Sequence, residues 1–131
     1  MMYRRPDTVS AAGIIVLAFA CWGTVTWLLA LAAQDGPVNP VNPANHDLTT
    51  RVVQGFGAFA MLLAGPNILR GENWARWFYA AVCAALLIYN IEFLRDRFYT
   101  LIPAAIVHAI SLVLLFLPNA NRYYASGAGK W

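Results

Sequence analysis

Apolar residues in this chain neither alternate nor keep to one helical face. They come in four long runs separated by short polar punctuation, at about residues 9–33, 48–69, 74–94 and 99–117. A bilayer core needs roughly 20 apolar residues in a helix, and each run is about that long. The pattern predicts an all-α protein: one domain over residues 1–131, an integral membrane bundle of four transmembrane helices in two hairpins. The first run carries no charge. A cleaved signal peptide has an apolar centre of only ~7–15 residues followed by a small-residue cleavage site. This run is longer and three more follow, so it is read as a retained span.

The punctuation sets the expected helix ends. Pro6 stops any earlier helix, and Thr8 or Ser10 is expected to cap the first span. Residues 34–47 form the one long loop. Its near-repeat Pro37-Val38-Asn39-Pro40-Val41-Asn42-Pro43 favours an extended polyproline conformation and reads as a stiff spacer. Asp47 suits the cap of the second span, and Pro66 is expected to kink that span near its inner end. Gly71 then suits a helix stop and Asn73 the next cap. Trp74 and Trp77, with Arg76 between them, are read as anchors in the headgroup zone. A polar turn with Arg95-Asp96-Arg97 precedes the fourth span, and Pro118-Asn119 ends it. Tyr123 and Tyr124 are expected at the interface, with a mobile tail to Trp131.

Composition agrees with the pattern. Hydrophobic residues make up 60% of the 131 residues and charged residues 11%, against about 25% charged in a typical soluble domain. Polar surface is too scarce to cover a water-soluble globule of this size. The net charge of +3 is scattered rather than gathered in a stripe, which excludes nucleic acid as a partner. Cys21 and Cys83 both lie within apolar runs, in no metal-binding spacing, and read as small buried hydrophobes. With both termini placed in the cytoplasm, the inner segments hold Arg4, Arg5, Arg70, Arg76, Arg122 and Lys130. The outer ones hold Arg51, Arg95 and Arg97, and this bias has the positive-inside sign. The proline-rich loop then lies outside.

Charged and polar groups within the spans are costly and each needs a partner or a purpose. Arg51 and Glu92 fall near the outer ends of the second and third spans, where they can pair. Gln54 shares a face with Arg51. Ala80, Ala81, Ala84 and Ala85 form two small-xxx-small pairs that allow close helix approach. Ala81 and Ala85 share a face with Glu92, which is therefore expected to point into the bundle. His108 lies ~13 Å into the fourth span at ~1.5 Å per residue, close to the midplane. Ala104, Ala105 and Ser111 share its face, the expected interior. Thr26, Arg51, Gln54, Tyr89, Glu92 and His108 together outline a candidate polar cleft opening outward. A structural reading competes with it, in which Arg51 and Glu92 form a strut and His108 bonds a neighbouring backbone or hydroxyl group. The other histidine, His46, lies in the loop, so a bis-histidine haem site is not expected. No cofactor or metal is expected either, and no nucleophile–base pair, H-E-x-x-H or phosphate-cradling loop points to an enzyme.

Gly71-x-Asn73-Trp74-Ala75-Arg76 at the head of the third span, with Leu117-Pro118 and Tyr123 closing the fourth, resembles small four-span bacterial inner-membrane proteins of unassigned function. The resemblance implies a multi-pass protein of the bacterial inner membrane and carries no functional residues with it. In length and span count the chain is also similar to small multidrug-resistance transporters, but its first span lacks their membrane carboxylate. Four-span disulfide-forming oxidoreductases are excluded because the cysteines are not paired in sequence. The leading expectation is a non-enzymatic accessory, assembly or immunity-type protein whose partners are the lipid bilayer and another membrane protein, or a second copy of itself. The alternative is a small oligomeric transporter or channel that uses the polar cleft.

Overall fold

A computed structural model of the protein describes residues 5–32, 48–91 and 98–126. The proline-rich loop, Glu92, the Arg95-Asp96-Arg97 turn and the tail to Trp131 lie outside the described residues. Every regular element among the described residues is a helix: α1 (Asp7–Ala32), α2 (Leu48–Leu69), α3 (Asn73–Asn90), α4 (Phe98–Phe116) and α5 (Pro118–Ala125). The all-α class follows directly from the long apolar runs, which satisfy every backbone group within the segment.

Local chemistry explains the ends. The Pro6 carbonyl accepts the amides of Val9 and Ser10 at 3.1 and 3.2 Å, so α1 begins just after the proline. The expected cap from Thr8 or Ser10 is not made. Ser10 sits inside the first turn, where its hydroxyl receives Arg5 Nε at 2.9 Å, and the Thr8 hydroxyl is buried without a hydrogen bond. Asp7 instead brings negative charge to the first turn, where the helix dipole favours it. α2 runs through Pro66 as one helix. It stops at Gly71, whose φ of +80° lies in the left-handed region that favours glycine. The Gly71 amide bonds the Ile68 carbonyl at 3.0 Å, and the Glu72 amide bonds that of Asn67 at 3.0 Å. This pair of bonds is the Schellman arrangement that closes helix C-termini. Glu72, not Asn73, takes the cap position of α3, and it does so through its carbonyl without a side-chain bond.

The four long helices do not pack evenly. α1 and α2 make the most extensive contact. α2 also packs on α3 and α1 on α4, while the α3–α4 contact is smaller. The order around the bundle is therefore α3, α2, α1, α4, with an opening between the first and last of these. The α1–α2 seam is built from small side chains: Val9, Ala12, Val16 and Ala20 face Ala60, Met61, Ala64 and Ile68 in one buried cluster. Helix approach is close enough that a Cβ on Gly55 would stand 2.6 Å from the Trp27 indole. That indole donates to the Arg51 carbonyl at 2.8 Å.

Large apolar side chains lie on the outside instead. Trp22, Phe56, Phe59 and Ile88 are each at least 60% exposed. In water such an array would be an aggregation surface. Length and composition single out two helices able to cross a membrane, Asp7–Leu29 with mean hydropathy 2.0 and Arg51–Leu69 with 1.5. A third is added if Leu101–Phe116 and Pro118–Ala125, joined at a 57° bend, count as one broken span. α3 has 18 residues, among which Asn73, Arg76 and Asn90 dilute its apolar stretch.

α5 is a departure from the expected structure. Pro118 ends α4 and also opens a further helix at its first position, where a missing N–H costs nothing. Ala120, Tyr123 and Tyr124 are its buried face. It folds back over the α2–α3 turn, with the Tyr124 hydroxyl donating to the Ile68 carbonyl at 3.3 Å.

Candidate functional site

The opening between α3 and α4 is an apolar groove of about 490 Å³. Its walls are set by small side chains, Ala80 and Ala84 on α3 and Ala104, Ala105 and Ala109 on α4. Cys83, Asn90 and His108 bring the polar atoms. Asn90 Nδ2 donates to the Leu86 carbonyl at 2.7 Å, on its own helix.

His108 is held from two sides. Its Nδ1 pairs with the hydroxyl of Tyr79 at 2.8 Å, and Tyr79 is fully buried. The edge of Phe19 on α1 meets the imidazole with ring centroids 5.3 Å apart. Half-buried Cys83 follows Tyr79 by one turn on α3, and Ser111 follows His108 by about one turn on α4. Ser111 is itself fully buried and donates to the Val107 carbonyl at 2.9 Å. These groups form a small polar knot linking α3 to α4 behind the groove.

The residues of the candidate cleft take the following places. Thr26 is exposed, and its hydroxyl turns back to the Trp22 and Gly23 carbonyls of its own helix, both at 3.0 Å. Such back-bonding satisfies a hydroxyl in an apolar setting without a partner helix. Gln54 is exposed, Arg51 and Tyr89 are half-buried, and Glu92 lies outside the described residues. His108 therefore meets a residue that the cleft did not include, Tyr79. The spacing Tyr79–Cys83 on one helix and His108–Ser111 on another carries the signal for this knot, since each pair shares a helical face. Ala81 and Ala85 are exposed rather than interior, so this face of α3 points out of the bundle.

A second polar cluster lies at the other end of the chain's architecture, around the α2–α3 turn. Arg5 Nη1 donates to the Leu69 carbonyl at 2.6 Å, a cation on a helix C-terminus. Arg76 is half-buried. It donates to Asn121 Oδ1 at 2.5 Å and stacks over Tyr124 and Phe116, 4.8 and 5.2 Å from their centroids. Trp74 and Trp77 are both exposed beside it, and the Trp77 ring meets Phe116 edge-on at 5.0 Å. Burial pushes the Tyr124 phenol up to about 12, with Arg76 and Arg5 pulling it back down.

No protein-family model matches the chain, and no curated protein or solved structure is significantly similar to it.

Proposed function

We propose that the chain crosses a bacterial inner membrane four times, with both termini in the cytoplasm. There it acts as a non-enzymatic accessory, assembly or immunity-type partner, docking a transmembrane helix of another membrane protein. The observation that carries this reading is the outward face of α3, where Ala81 and Ala85 are exposed between exposed Trp77 and Ile88. In lipid the hydrophobic effect does not drive helices together, and small residues favour association by letting backbones approach. Within this chain the α1–α2 seam uses small residues in that way, whereas Ala81 and Ala85 on α3 stay exposed among the described residues.

The topology draws support from the basic residues. Arg5, Arg76 and Arg122 come from the start of α1, the start of α3 and from α5, and the Arg5–Leu69 and Arg76–Asn121 bonds gather these segments at one end. The small core and large apolar exterior suit a lipid surround. Native mass spectrometry of the full chain, extracted in nanodiscs from cells at ordinary expression, tests the reading. A stoichiometric membrane partner is expected, lost in the Ala81→Leu/Ala85→Leu double variant. A lone monomer in nanodiscs, or a complex indifferent to both substitutions, would overturn it.

A further inference from the structure

We propose that the α3–α4 groove binds the ring head of a neutral, quinone-type membrane amphiphile, with His108 Nε2 hydrogen-bonded to a ring oxygen. The inference rests on the reading that α4 crosses the bilayer, and it goes beyond partner docking, which uses the adjacent face of α3.

Four features point to this ligand. The volume, about 490 Å³, falls within the ~300–1,000 Å³ of small-molecule sites. The walls are apolar, with alanines where larger side chains would close the space. The imidazole is half-buried in the groove wall, with Tyr79 on Nδ1 and Phe19 against the ring, so Nε2 is the ring nitrogen left for a ligand. The last feature is depth. His108 lies ten residues into α4, roughly 15 Å along the helix and so about half-way through a hydrocarbon core of ~30 Å. Phosphate and ester groups of phospholipids stay at the interface. Among lipids, a polar atom that meets His108 belongs to a head that is itself uncharged and soluble in hydrocarbon.

Quinone chemistry also suits the unsettled tautomer. If Tyr79 donates to Nδ1, Nε2 carries the proton and a quinone carbonyl accepts it. If Nδ1 donates to Tyr79, Nε2 is an acceptor and the hydroxyl of the quinol donates. One molecule in its two oxidation states complements both forms, which a plain acyl chain cannot do.

The test uses the full chain in phosphatidylethanolamine–phosphatidylglycerol nanodiscs with ¹⁵N-histidine labelling. The probe is a decyl-substituted dimethoxybenzoquinone. A saturable shift of the His108 Nε2 resonance is expected, with the His46 signal unmoved. Ala105→Leu, which fills the groove, should weaken binding at least tenfold, and binding measured by equilibrium partition should no longer saturate in His108→Phe. Absence of a saturable shift, equal affinity in Ala105→Leu, or the same shift with decanol would overturn the proposal. Protection of Cys21, exposed on α1 and outside the groove, from a water-soluble maleimide in a Cys83→Ser background reports insertion separately. Ready labelling would defeat the four-span reading itself, and protection without binding would defeat only the ligand.

Discussion

Tyr123 closes over Gly71 so tightly that a methyl group on the glycine would stand 2.8 Å from both the ring and the hydroxyl. The same glycine holds the left-handed conformation that ends α2. Gly71→Ala therefore meets two penalties, ~1–2 kcal/mol for the backbone and ~1–3 kcal/mol for overpacking. A loss of roughly 2–5 kcal/mol of stability is expected from the two together. Removing the ring with Tyr123→Leu should relieve the steric part, so the double variant should lose less than the sum of the singles. Denaturation midpoints in mild detergent would measure this. A Gly71→Ala protein as stable as the parent would show that the turn is not so constrained.

Arg76 joins α3 to α5 through a flat face as well as a charge. Its guanidinium bonds Asn121 and lies over Tyr124 and Phe116. Lysine keeps the charge but cannot present the same planar fork and stack. Arg76→Lys should destabilise by about 1–2 kcal/mol, within the range of such cation–ring contacts. In Arg76→Lys the amides of residues 119–125 should exchange hydrogen faster than in the parent, with those of α1 and α2 unchanged. Unchanged exchange in α5 would mean that Arg76 does not hold it.

Tyr124 predicts the alkaline behaviour of the same end. Its folded-state pKa is raised from the ordinary 10 to about 12, chiefly by burial. The unfolded chain therefore loses this proton first as pH rises. The contribution of the neutral phenol is fully present below pH 10 and is lost as pH rises through 10 to about 12. Thermal midpoints across that window should fall less steeply for Tyr124→Phe than for the parent. Parallel slopes would assign the alkaline loss to other groups.

The all-helical class is legible because each long run is apolar over many consecutive residues, bounded by Pro6, Gly71 and Pro118. Facing within those runs is harder to read. Hydropathy separates water from apolar surroundings, but lipid and a neighbouring helix are equally apolar. Ala81 and Ala85 therefore read as interior when they face out. The α1–α2 seam is written instead in the recurrence of Ala12, Val16 and Ala20, a period that a window average smooths away. α5 is hidden for the opposite reason: Asn119, Asn121 and Arg122 mask an apolar face of only Ala120, Tyr123 and Tyr124. The placing of His108 mid-way along its run is visible in sequence. Its bond to Tyr79 is only hinted at by the polar faces Tyr79–Cys83 and His108–Ser111, because nothing local ties two residues on different helices.

The return of α5 to the α2–α3 turn also sets an order of events during synthesis. The carbonyl of Ile68 and the ring-side face of Gly71 are covered by residues that leave the ribosome only after all four long helices have been made. Until then the α2–α3 turn is uncovered. A nascent chain held before residue 118 would keep that turn accessible to chaperones and proteases, so α5 seals the joint between α2 and α3 only after the helices it covers are made.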